Sequence, residues 1–314
     1  MTWQEWLLIV AAAAIAYMTP SYFIYRKLIR RDRSTGDGLV DQSQPFFAPA
    51  WEWFKSVPKE TVSIRAYDGT ALSAVYIPSV DDKSTCTAVL CHGYRGANTD
   101  MAVIARMYSR LGFRILLPDA RGHGLSKGKF TSFGHFERYD LKRWIQFLLH
   151  TYGATDSILL HGVSLGAATV ILASANGLPS NVKLLVADSP FNRSSSVIAR
   201  SLKPKFLAFF LPGVSLLTYN LHRFYLGQAD VLEAARASKI PLFLFHGEAD
   251  EVCPFPQAMN LFAAHGTEDK KLYPVPLAKH AEGYVLDRDG VEREIAAFLK
   301  DRFPLSKNLP NLKK

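Results

Sequence analysis

The sequence predicts an α/β fold with a mainly parallel central sheet covered by helices on both faces. Short apolar runs recur from residue 87 to residue 275, and most are separated by segments with helical spacing. An alternating pair, residues 60–67 and 71–77, flanks Asp68-Gly69 and signals an antiparallel hairpin ahead of the repeating units. No internal repeat or low-complexity stretch competes with this pattern.

In chain order, the hairpin is followed by a strand over 87–91 that ends at His92-Gly93. Asn98 caps a predicted helix running to Leu111, and 113–117 is a buried strand, apolar on both faces as parallel strands require. Residues 136–151 form an amphipathic helix, 158–161 a strand, and 165–175 a helix of small and apolar residues. Strands over 182–187, 242–245 and 271–275 and a helix over 291–299 complete the body. Residues 191–237 break the rhythm. They separate two strands by far more than an ordinary connection and are rich in Leu, Phe and Tyr, which predicts a helical lid. Within it, Phe209, Phe210, Leu217 and Tyr219 are expected to line an apolar pocket.

The net charge is +9, but it is concentrated at the ends. The stretch from Arg26 to Arg33 carries +4, the tail from Lys307 to Lys314 carries +3, and the rest is near neutral. That distribution excludes a basic face for nucleic acid. Cys86, Cys91 and Cys253 show no CxxC or zinc-like spacing, so neither a disulfide framework nor a metal site is expected.

No charged residue occurs from Trp6 to Tyr25, and aromatic residues stand near both ends of this run. About 20 apolar residues cross a bilayer core, so residues 1–33 are expected to be a transmembrane anchor with a basic flank. A cleaved signal peptide is the alternative, but it needs basic residues before the apolar run, where Glu5 is the charged side chain. Because the basic cluster follows the run, the remainder of this single-pass protein is expected on the cytoplasmic side. Residues 34–59, with Gly36, Gly38 and Pro45, suggest a linker before the domain at 60–303 and a basic tail at 304–314. The aromatic cluster at Phe46, Phe47, Trp51, Trp53 and Phe54 suits either the membrane surface or packing against the domain.

The chemistry centres on Gly162-Val163-Ser164-Leu165-Gly166, which follows a predicted strand and opens a predicted helix. That context distinguishes a nucleophile elbow from a chance GxSxG: the serine occupies a strained turn, and the N–H of Leu165 faces the site as an oxyanion donor. The loop His92-Gly93-Tyr94-Arg95-Gly96 is placed to supply the second donor, the N–H of Tyr94, with His92 orienting the loop. A serine nucleophile needs a base, and the base needs an acid behind it. His280 lies in the loop after the last strand and Asp250 in the loop after 242–245, giving the order Ser, Asp, His. Asp188, at the end of another strand, is the rival acid.

With these placements the sequence resembles the α/β-hydrolase superfamily over nearly everything after residue 60. Within it the similarity is to serine-aminopeptidase-like and Bem46-like membrane-associated hydrolases. The resemblance rests on His92-Gly93-Tyr94, the run Asp119 to Ser126, Leu160 to Ala168, Asp188-Ser189-Pro190, His246 through Asp250 to Pro254, and His280. It implies the α/β-hydrolase fold and a metal-free Ser–His–Asp hydrolase, with a structural part for the Arg121–Ser126 loop and wide latitude in substrate. No metal or dinucleotide motif is present, so no cofactor is implied. The expected substrate is a small-molecule ester with a medium or lipid-like acyl chain. A thioesterase, a serine peptidase, or a non-catalytic scaffold on the same fold are the alternatives.

Overall fold

A computed structural model describes residues 1–31, 38–81, 83–153, 156–300 and 302–304. Eight strands form one sheet in the order β1-β2-β4-β3-β5-β6-β7-β8. The hairpin β1 (Glu60–Arg65) and β2 (Ala71–Ile77) is antiparallel, and β2 joins β4 (Arg114–Pro118) antiparallel. The rest of the sheet is parallel: β3 (Cys86–Cys91), β5 (Ser157–Val163), β6 (Val182–Asp188), β7 (Leu242–Gly247) and β8 (Lys270–Val275). The central strands β3 and β7 are buried along their whole length, which explains why they are continuous apolar runs without alternation.

The chain leaves β3 towards β4 in one direction and returns past it to β5 in the other. The carboxyl ends of β3 and β5 therefore flank a topological switch point, where open α/β sheets bind ligands. Helices α3 (Ala102–Arg110), α4 (Glu137–Thr151), α5 (Leu165–Ser174), α9 (Pro256–Ala264) and α10 (Arg288–Leu299) cover the two faces. Two apolar clusters result, one on each face: Trp144, Ile171 and Leu185 on one, Tyr108, Phe243 and Ile295 on the other.

Two parts depart from the sequence expectations. Helix α1 (Trp3–Leu28) has a mean hydropathy of 1.8 over its best 18-residue window and is long enough to cross a membrane. Its last turns nevertheless belong to the folded body: Ile24, Tyr25, Leu28 and Ile29 are buried, and Tyr25 Oη lies 2.6 Å from His222 Nε2. The segment read as a linker holds helix α2 (Ala48–Ser56), packed on α3. Phe47, Ala50, Trp51 and Phe54 recur at helical spacing and Pro49 sits in the first turn, a pattern masked by the surrounding Gly and Pro. Its aromatics pack on the domain, with Phe54 buried. The 191–237 insertion is helical, comprising α6 (Ser194–Ser201), a 3₁₀ turn Lys205–Phe210, α7 (Leu211–His222) and α8 (Val231–Ala237). Asp32 and Arg33 of the basic flank, Gly36 of the linker, and Lys307, Lys313 and Lys314 of the tail lie outside the described residues.

Candidate active site

Ser164 ends the β5 connection and immediately precedes α5, with φ 53° and ψ −108°. A non-glycine residue there is strained by on the order of 1–3 kcal/mol, and the surroundings must hold it. They do so with two hydrogen bonds, from Ser164 N–H to the Asp188 carbonyl at 2.8 Å and from Ala168 N–H to the Ser164 carbonyl at 2.9 Å. Gly166 lets the turn press against β3: a Cβ there would stand 2.0 Å from the Cys91 carbonyl oxygen. The sharp turn projects the hydroxyl above the sheet edge.

His280 Nε2 lies 2.8 Å from Ser164 Oγ, and His280 Nδ1 lies 2.7 Å from Asp250 Oδ2. The distance between the two loops is set by backbone pairing. Glu248 and Ala249 donate to the carbonyls of Val275 and Ala278, and Gly247 permits the approach, since a Cβ there would meet Ala278 O at 2.2 Å. Asp250 is buried and accepts further bonds from the N–H groups of Val252 (2.8 Å) and Cys253 (2.7 Å). A second imidazole reaches it: His246 Nε2 lies 3.2 Å from Asp250 Oδ2 and 2.6 Å from the Cys253 carbonyl. That carbonyl can only accept, so His246 carries its proton on Nε2. Burial disfavours the charge on Asp250, but the hydrogen bonds from His246 and His280 outweigh it and hold the carboxyl well below its usual range.

Asp188 makes no bond to His280. Its carboxylate accepts from Ser189 Oγ at 2.8 Å, and burial raises its pKa to about 6. The rival acid thus lines the site without joining the hydrogen-bonded series. His246, the extra partner of Asp250, carries part of the family resemblance in the sequence but no assigned role there. Its position at the end of a buried strand, four residues before the acid, is the only signal that pointed to it.

The N–H groups of Tyr94 and Leu165 have no acceptor among the described residues, and both residues line the cavity beside Ser164. The loop bearing Tyr94 is pinned by two neutral imidazoles. His92 bonds the Gly93 carbonyl through Nδ1 (2.7 Å) and accepts from Ala120 N–H through Nε2 (3.0 Å). His123 bonds the Arg121 carbonyl (2.9 Å) and accepts from Arg95 N–H (3.1 Å). Burial depresses both pKa values, which keeps each imidazole in the neutral tautomer that this bonding needs. In the Arg121–Ser126 loop, Arg121 forms a buried bidentate pair with Asp140, at 2.7 Å for each bond, which is a structural arrangement.

A cavity of about 360 Å³ opens on Ser164. Its walls differ from those expected. Phe209, Phe210, Leu217 and Tyr219 do not line it. The rings of Phe209 and Phe210 turn to Tyr17 of α1, each 5.4 Å away; Tyr219 stacks on Tyr225 at 4.4 Å; and Leu217 packs against the core. The walls come instead from Leu28 of α1, from Leu39, Val40, Phe46 and Phe47 in the supposed linker, and from Val197 of α6. Richness in Leu, Phe and Tyr points to the insertion, but the α1 contact claims Phe209 and Phe210, and the other two pack within the domain. Among the described residues, no group of three His, Cys, Asp or Glu side chains is arranged to hold a metal ion.

An elbow serine at the switch point of an eight-stranded sheet, within reach of an imidazole and a carboxylate from later loops, is the arrangement that the α/β-hydrolase fold provides. Comparison with known proteins agrees. The family model described as serine aminopeptidase, S33, matches residues 82–223. Protein YqkD of Bacillus subtilis is 23% identical over 296 residues, spanning 93% of this chain and 96% of its own length. Protein bem46 of Schizosaccharomyces pombe is 25% identical over 245 residues, 77% of each chain. The solved structure of the Pyrococcus furiosus esterase Pf2001 superposes with a TM-score of 0.67 at 24% identity, covering 88% of this chain and 98% of that one. The chain has the α/β-hydrolase fold and is similar to Bem46-like proteins, and these likenesses support a hydrolase.

Proposed function

We propose that the chain is a membrane-anchored serine hydrolase that cleaves carboxylic esters with a medium or lipid-like acyl chain through an acyl-enzyme on Ser164. The observation that carries this reading is the unbroken series Ser164–His280–Asp250 opening directly into an apolar cavity. In the proposed cycle, Ser164 Oγ attacks the ester carbonyl carbon as His280 Nε2 takes its proton. Asp250 holds the Nδ1 proton and stabilises the imidazolium, and His246 holds Asp250 in place. The N–H groups of Tyr94 and Leu165 receive the oxyanion. The tetrahedral intermediate collapses with cleavage of the C–O bond, and His280 returns the proton to the leaving alkoxide. Water, deprotonated by His280, then attacks the acyl-serine and restores Ser164.

The match to a peptidase family raises the reading of an aminopeptidase, which must bind a substrate ammonium group. Two carboxyl groups line the cavity, Asp100 and Asp188. The oxygens of Asp100 already accept from the N–H groups of Leu39, Val40 and Ala97, and the buried Asp188 accepts from Ser189 Oγ. Both carboxyl groups are thus engaged by the protein's own donors, which favours an uncharged acyl group over a substrate ammonium.

Helix α1 has the length and hydropathy of an anchor or a signal sequence. We read it as an anchor because its last turns are part of the site: Leu28 lines the cavity, and its carbonyl accepts from Tyr94 Oη at 2.9 Å. Cleavage after the apolar run would remove Ile24 and Tyr25, which are buried against the domain. Arg26 and Lys27 at its end favour a cytoplasmic catalytic domain.

The test compares p-nitrophenyl esters with aminoacyl p-nitroanilides as substrates of the full chain. Turnover of the esters, lost in Ser164→Ala, is expected. Turnover confined to the anilides would replace this reading with a peptidase.

A further inference from the structure

We propose that the root of α1 and the 3₁₀ turn beside it form a membrane-docking collar that seats the catalytic domain in the headgroup layer of an anionic leaflet. This rests on the reading of α1 as an anchor. The first argument is length. Every residue from Trp3 to Ala16 is exposed, and from Tyr17 onward the helix is progressively held by the domain. Fourteen residues rise about 21 Å, whereas a hydrocarbon core is about 30 Å thick. An anchor this short crosses only if the domain supplies apolar surface around its root, or if the bilayer thins there.

That surface is present at the level where α1 emerges. Tyr17 Oη donates to the Phe209 carbonyl at 3.0 Å, and Ser21 Oγ donates to the Phe210 carbonyl at 3.2 Å, fixing the turn Lys205–Phe210 to the helix. Gly213 of α7 completes the contact; a Cβ there would meet Ser21 Oγ at 2.2 Å. Phe206 and Phe209 are nevertheless 68% and 70% exposed, and Phe23 on α1 is 63% exposed. Large aromatic side chains left in the open around the root of an apolar helix are unfavourable in water and favourable at a membrane interface.

Charge gives an independent argument. From Ser189 to Ala229 there is no Asp or Glu, while Arg193, Arg200, Lys203, Lys205 and Arg223 are present. Arg26 and Lys27 lie at the end of α1. Arg193 is paired with Asp230 at 2.8 Å, but Arg200, Lys203, Lys205 and Arg223 form no ion pair among the described residues and share their segment with the exposed aromatics. Each such cation is attracted to the surface of an anionic leaflet. The surface also borders the cavity, since Leu28 of α1 and Val197 of α6 line it. A lipid-like ester leaving the leaflet therefore has a short path to Ser164.

The test uses the full chain in phosphatidylcholine–phosphatidylglycerol vesicles with an environment-sensitive fluorophore on a single new cysteine. The native cysteines are buried. The variants are Phe206→Cys on the collar, Val10→Cys in the exposed run, and Val80→Cys at the opposite end of the sheet, with retained hydrolysis of a soluble ester reporting folding. Brominated acyl chains should quench the labels at 206 and 10, and leave the label at 80 unchanged. Quenching at 10 with an aqueous label at 206 would overturn docking and leave the anchor standing. Absence of quenching at 10 would overturn the anchor reading and this proposal with it. A label at 206 shielded from aqueous iodide yet unaffected by brominated lipid would show that a protein covers the collar, and would also overturn the proposal.

Discussion

The walls of the cavity make a quantitative prediction about acyl-chain preference. A volume of about 360 Å³ equals roughly a dozen water molecules at ~30 Å³ each, enough for a medium-length chain. Burial of a methylene is worth about 0.8 kcal/mol, or about fourfold in kcat/KM when it is realised in the transition state. From a butyryl to an octanoyl ester, four methylenes give about 3 kcal/mol, an upper bound of roughly 200-fold. Phe47→Ala perturbs this without altering Ser164, His280 or Asp250, because Phe47 is partly buried and lines the cavity from the segment before β1. Steady-state kinetics on the ester series should show a shallower rise with chain length in Phe47→Ala, with the butyryl ester little changed. An equal loss at every chain length, or an unchanged octanoyl ester, would refute the assignment of this wall to the acyl group.

Asp250→Asn should lower kcat by about 10⁴-fold with little change in KM, since the amide cannot hold His280 in the required tautomer. Single-turnover kinetics would report it, and a loss under tenfold would mean that another group supports His280. Asp188→Asn should stabilise the fold at neutral pH. The folded carboxyl titrates at about 6 because it is buried, whereas an unfolded one titrates at about 3.9, so the folded state binds the extra proton between these values. Stability therefore falls as pH rises through that window. The variant should gain up to a few kcal/mol above pH ~6, with the gain vanishing below pH ~4; urea midpoints that differ equally at both ends would contradict the cause. Gly166→Ala should cost more than about 3 kcal/mol, because the new methyl meets the buried Cys91 carbonyl at 2.0 Å. A native-like denaturation midpoint would show that the elbow tolerates the displacement.

The central strands and the order of Ser164, Asp250 and His280 were legible because each obeys a local rule. Buried parallel strands are continuous apolar runs, and an elbow serine is bracketed by small residues between a strand and a helix. The cavity was not legible. Its wall is assembled from Leu28, Leu39, Val40, Phe46 and Phe47, which lie 117 or more positions before Ser164 in the chain, and no periodicity links them to it. Helix α2 was hidden by Pro45, Pro49 and the glycines before it, although Phe47, Ala50, Trp51 and Phe54 carry its buried face. Conversely, Phe209 and Phe210 are aromatic in an insertion over the site, yet their rings are taken up by Tyr17. Hydrophobicity identifies which residues seek a partner, and the topology decides which partner they find.

The central claim is that Ser164 is a nucleophile activated by His280. Its most direct test is intact-mass analysis of the full chain after treatment with a fluorophosphonate, followed by peptide mapping. The account predicts one adduct, on Ser164, formed by the native protein, strongly slowed in His280→Ala and absent in Ser164→Ala. No adduct on the folded native protein, or an adduct that persists unchanged in Ser164→Ala, would contradict it.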